Sequence, residues 1–167
     1  GMDNDEADSG TNFWQELNKT SVDSGDELST GSFTAKKYLW VQFQAFYTGD
    51  CNTTMVCNSD TGNNYAQRDN WSGSEGTNTS RANFTFGDSS VHDSIFENIF
   101  IVNKSDKEKL MIADRMTVGS TGAGNVVNTA EQVAKWTNTS SQITSLTFNQ
   151  TGSGSYVNAK VRVFGAD

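Results

Sequence analysis

"KKYLWVQFQAFY", residues 36–47, decides how this chain is read. Leu39, Val41, Phe43, Ala45 and Tyr47 recur at every second position, which places them on one face of an extended strand. Tyr38, Trp40, Gln42, Gln44 and Phe46 fall on the other face, a mixture of aromatic rings and amides that predicts a half-wet surface.

The same alternation recurs further along. "SIFENIFIVN" (94–103) sets Ile95, Ile99 and Ile101 against Phe96, Phe100 and Val102. After a "KSDK" turn, "EKLMIADRMTV" (108–118) gathers Leu110, Ile112, Met116 and Val118 on one side. "YVNAKVRVF" (156–164) predicts Val157, Ala159, Val161 and Val163 inward, with Asn158, Lys160 and Arg162 outward. Shorter strands are expected at "TMVC", "RANFTF", "EQVAKWT" and "QITSLTF", with one or two more between Phe13 and Leu28. About eight or nine short strands and no helix of three turns predict an all-β, single-domain antiparallel β-sandwich, jelly-roll-like, with a closed barrel second.

Composition agrees. Proline is absent from the 167 residues, where average usage of about 5% would supply roughly eight. Turns therefore fall to Gly, Asn, Asp and Ser, which reach left-handed backbone or cap their own chain. The length suits one domain with a real core. Residues 1–10 read as an acidic disordered tail, with Gly1 the remnant of a cleaved tag before Met2, and 11–167 as the sandwich domain.

The net charge of −8 is unevenly placed: residues 1–31 hold eight carboxylates against Lys19 alone, leaving the other 136 residues near −1. Without a basic stripe, nucleic acid is not an expected partner. No apolar run is long enough to span a bilayer, and no segment reads as a signal peptide, so membrane insertion and ordinary secretion are not expected.

Candidate chemistry is sparse. His92 is the one histidine and has no G-x-S-x-G companion, so it reads as a turn residue. Asp93 and Glu97 share strand parity but offer no convincing glycosidase pair, and Asp106, Glu108 and Asp114 belong to a turn and a hairpin rim. Residues 119–125, "GSTGAGN", lack the Lys-Ser/Thr ending of a phosphate loop. Cys51 and Cys57 lie too far apart on one straight strand to pair, about 20 Å, although a tight hairpin could join them; two free, half-buried thiols are the simpler reading. No cofactor, metal or catalytic residue is expected.

The polar stretch 59–73, "SDTGNNYAQRDNWSG", is the best surface candidate. Asp60, Asn63, Asn64, Tyr65, Arg68 and Trp71 carry the chemistry of a shallow carbohydrate site, an aromatic face ringed by amides and charges. The alternative is a polar elbow whose rings pack inward while its amides cap turns. Tyr38, Trp40 and Phe46 are the expected interface residues.

Several segments resemble, in order, virion-associated proteins of marine phages: "FTAKKYLWVQ", "NSDTGNNYAQRDN", "KEKLMI", "GSTGAGNVVNTAEQVAKWTNTSSQIT" and "NQTGSGSYVNAKVRVFGAD". The shared elements are D-[ST]-G-x-N-Y, G-A-G-N, K-W-x-N-T-S-x-Q-I-T and a closing G-x-G-x-Y…V-x-G-A-D, and the resemblance covers roughly residues 13–167. It implies a sandwich rather than a reaction. It marks Asp60, Gly62, Asn64 and Tyr65 as a turn locked by its own side chains, and Gly122 and Gly124 as left-handed positions beside Asn125. It marks Lys135, Trp136, Asn138, Thr139 and Ser140, with Trp136 as a core plug and Asn138 and Ser140 bonding the chain into "QIT". The expected function is a non-enzymatic phage structural or attachment protein, decorating a capsid, tail or fibre as a homo-oligomer or with other virion proteins. Its location would be the virion, and the host cytoplasm during assembly. The alternative is a carbohydrate-binding, lectin-like module using the 59–73 loop on a cell-surface glycan.

Overall fold

A computed structural model describes residues 13–86 and 94–167. The acidic tail 1–10, His92 and Asp93 lie outside the described residues. Twelve strands follow in chain order: β1 (Gln15–Gly25), β2 (Glu27–Ser29), β3 (Tyr38–Tyr47), β4 (Thr53–Cys57), β5 (Tyr65–Trp71), β6 (Ser74–Arg81), β7 (Phe84–Thr85), β8 (Ser94–Val102), β9 (Lys109–Val118), β10 (Asn128–Trp136), β11 (Leu146–Gln150) and β12 (Tyr156–Ala166). No helix occurs among the described residues.

The strands form two antiparallel sheets packed face to face, an all-β sandwich as the alternation predicts. The large sheet has the order β1-β12-β3-β8-β9-β10-β5-β6, the small one β2-β11-β4-β7. The chain crosses between layers along β1–β2–β3–β4 and again along β10–β11–β12, the crossing habit of a jelly roll, while β8–β9–β10 is a plain meander.

The core lies between the layers. β3 buries Leu39, Val41, Phe43 and Ala45, as its sequence predicts, and Phe43 stacks on Phe148 of β11 at 4.4 Å. Tyr156, Val161, Ile99, Met55 and Leu28 close around that pair, all at most 1% exposed.

Three expectations change. The described residues form twelve strands rather than eight or nine, chiefly because residues 65–81 form a hairpin instead of a polar connection. Ser72 (φ 44°) and Gly73 (φ 93°) make its two-residue turn with both residues left-handed, the geometry that matches strand twist. In β12, Val157 is only half-buried: a bulge with Asn158 at φ 51° shifts the register and gives the inward place to Tyr156. In β9, the apolar side Leu110, Ile112 and Met116 faces outward, and Lys109, Met111, Ala113, Arg115 and Thr117 face the core.

Candidate functional site

The six loop residues expected to form a sugar site are divided: Asp60, Asn63, Asn64 and Tyr65 share one corner, while Arg68 and Trp71 lie on opposite faces of β5. Asp60 is the knot of a corner: its carboxylate accepts hydrogen bonds from the Gly62 amide at 2.9 Å, from Asn64 Nδ2 at 3.0 Å and from Trp136 Nε1 at 2.7 Å. Tyr65 is 1% exposed; its hydroxyl donates to the Asp60 carbonyl and accepts from the Cys57 amide. Asn63 is exposed on the turn. Arg68 and Trp71 are three residues apart on β5, so they point to opposite faces of the sheet. The Trp136 plug is as the resemblance implies, 1% exposed, and Asn138 Oδ1 accepts from the amides of Ser140 and Ser141.

On the inner face of the large sheet lies a charged pair whose one signal in the sequence is the parity of Glu97 with Ile95, Ile99 and Ile101. Glu97 of β8 and Arg115 of β9 are direct cross-strand partners, with Nε and Oε1 3.7 Å apart and side chains at most 1% exposed. Burial drives the Glu97 carboxyl well above the usual carboxylate range, and the guanidinium opposes it. The guanidinium also lies over the Trp71 ring, 3.7 Å from its centroid. Beside Trp71, a polar groove of about 230 Å³ is lined by Gln67, Asp69, Asn78 and Arg81.

The outer face of the same sheet is different. Trp40 holds an aromatic cluster, stacked on Phe100 (5.8 Å, 11° between planes), tilted against Phe164 (5.1 Å) and edge-on to Trp14 (6.0 Å). Its Nε1 donates to Asn98 Oδ1. Phe100 is 43% exposed, Ile112 59% and Val133 52%; with Trp14, Tyr38 and Leu110 they border an open apolar depression of about 570 Å³. The cross-strand register explains the patch: Phe164, Trp40, Phe100, Ile112 and Val133 are successive partners across β12, β3, β8, β9 and β10. Of the expected interface residues, Tyr38 and Trp40 belong to this surface, while Phe46, 49% exposed, sits at the far end of β3.

The remaining candidates are scattered. Cys51 and Cys57 are free and buried; burial pushes the Cys51 thiol up to about 12 and the Cys57 thiol higher. Glu97 is interior, Asp114 lies on the outer face, and Glu108 pairs with Lys135 at 2.7 Å, so these carboxylates share no cleft. Residues 119–127 form an exposed loop, with Gly122 at φ 92° and the Asn125 amide bonded to its carbonyl. Gly152 and Gly154 of the closing motif lie against the backbone of Asp50 and Gly49, where no Cβ fits. Among the described residues, no group of three His, Cys, Asp or Glu side chains could hold a metal ion, and no helix is long and apolar enough to cross a membrane. Compared with known protein families the chain matches none, and it matches no curated protein.

Proposed function

We propose that this chain is a non-enzymatic structural or attachment component of a phage virion, acting by burying the outer face of its large sheet against protein. One observation carries the reading: a contiguous row of aromatic and aliphatic side chains stands on the solvent side of a sheet whose other side already closes the core. A sandwich needs one apolar face for its own stability, and a second apolar face marks an interaction surface. The ordered resemblance of residues 13–167 to virion-associated phage proteins supports the setting. The test is mass spectrometry and antibody labelling of purified particles of a phage encoding the chain. Many copies per particle are expected; clean particles without the protein overturn the reading.

A second reading, a carbohydrate-binding module, has support from the groove beside Trp71, which supplies an indole, amides and a guanidinium. It would bind on the inner side of the β5–β6 hairpin, not through the 59–65 corner. A glycan array probed with the wild type and with Asn78→Ala tests it: binding lost in the variant supports a lectin, and no binding by folded protein removes that reading.

A further inference from the structure

The outer face also carries a charge pattern that selects its occupant. In the large sheet β8 is flanked by β3 and β9, then by β12 and β10, then by β1 and β5. One cross-strand row on the outer face runs Lys19, Arg162, Gln42, Asn98, Asp114, Glu131 from β1 to β10. It is basic on one side of β8 and acidic on the other. The neighbouring apolar row ends the opposite way, with Glu16 on β1 beside Phe164 and Arg68 on β5 beside Val133. Lys19, Arg162, Asp114, Glu131, Glu16 and Arg68 are all exposed.

Resting on the reading above, we infer that the occupant of this face is a second copy of the chain, packed face to face about a two-fold axis running along β8. Such an axis sets each strand opposite the strand equally far on the other side of β8, so β12 meets β10, β3 meets β9 and β1 meets β5. Arg162 of each copy then faces Glu131 of the other, and Glu16 faces Arg68. Between them Phe100 meets its own symmetry mate, and Trp40 lies over Ile112 of the second copy. Each contact away from the axis occurs twice, as an isologous interface requires. The pattern gives each row one opposite-charge couple although the rows' polarities are opposite; it sets Lys19 against Asn70 and Asp114 against Gln42, and it keeps the apolar row central.

Sedimentation velocity over a concentration series tests the inference. The wild type is expected to form a dimer, and Ile112→Asp to be monomeric. Arg162→Glu alone and Glu131→Arg alone should each raise the dimer Kd on the order of tenfold, because each change acts twice by symmetry. The double variant Arg162→Glu/Glu131→Arg should return the Kd to near the wild-type value. All three sites are exposed, and circular dichroism confirms that each of the four variants is folded. A dimer whose affinity ignores the single reversals, or a double variant that fails to recover, overturns the arrangement. A wild type that stays monomeric at every concentration overturns self-pairing. If that monomer is nevertheless abundant in purified particles, the virion reading stands with another protein on this face; if it is absent from them, both fall.

Discussion

The two faces of β9 reverse the usual order of a strand. Toward the core it presents Lys109, Arg115 and Thr117, and toward solvent Leu110, Ile112 and Met116. On β3, separated from β9 by β8 alone, the inward side from Leu39 to Ala45 is wholly apolar. The difference teaches what sets a face. The core side of β9 is fixed by its register with β8 and β10, and the two charged groups it brings inward find partners there. Lys109 Nζ donates to the carbonyls of Lys107 (2.6 Å) and Asn138 (2.7 Å), beneath the Trp136 ring. Arg115 meets Glu97 and Trp71. Burial pushes the Lys109 ammonium below its usual range, against the pull of Asp106 and Cys57.

The largest expected effect comes from breaking the inner side. Arg115→Ala leaves the Glu97 carboxyl buried without its cation and uncovers the Trp71 ring. Removing one partner of such a pair costs about 3–5 kcal/mol, read from urea unfolding. Replacing both, Glu97→Leu with Arg115→Met, should recover most of that loss, because the pair's own attraction is largely offset by desolvation. A single variant as stable as the wild type would show that the charges are not energetically interior.

A matched pair of isoleucines sharpens the same contrast. Ile99 of β8 is 0% exposed and Ile112 of β9 is 59% exposed. Ile99→Ala should cost about 2–5 kcal/mol. Ile112→Ala should stay within about 0.5 kcal/mol, provided unfolding is followed at concentrations where association adds no stability. Equal losses would put Ile112 in the core and remove the exposed face.

These residues also mark what the sequence makes legible. β3 is readable because its two sides differ in kind, and Leu39 to Ala45 behave as alternation predicts. On β8, Ile95, Ile99 and Ile101 are inward as expected, yet Glu97 shares their parity and goes in with them. In β9 both sides are amphipathic, and apolar character points the wrong way; only pairing with distant strands decides it. β5 and β6 were hidden because their side chains are almost all polar, with no buried face continuous enough to show period two. The site suffered from the same blindness: Arg68 and Trp71 look like neighbours in a loop until β5 separates them to opposite faces. A parity check on "YAQRDNW" would have found that separation.

The smallest effect sharpens the corner that joins the two layers. Asp60 receives bonds from Trp136, Gly62 and Asn64; burial works against its charge, but those donors together outweigh burial and hold the carboxyl below its ordinary value of 3.8. A carboxyl lowered on folding stabilises the native state above its unfolded pKa, and that contribution fades as pH falls from there through the lowered folded value. Asp60→Asn should therefore lose about 1 kcal/mol at neutral pH, where an amide cannot accept from all three donors, and lose less than the wild type on acidification. The two stability curves should converge as pH drops below about 4. Parallel curves from pH 6 to pH 2 would mean that the corner is held by the Trp136 and Tyr65 packing alone, and that the carboxylate's charge does nothing for it.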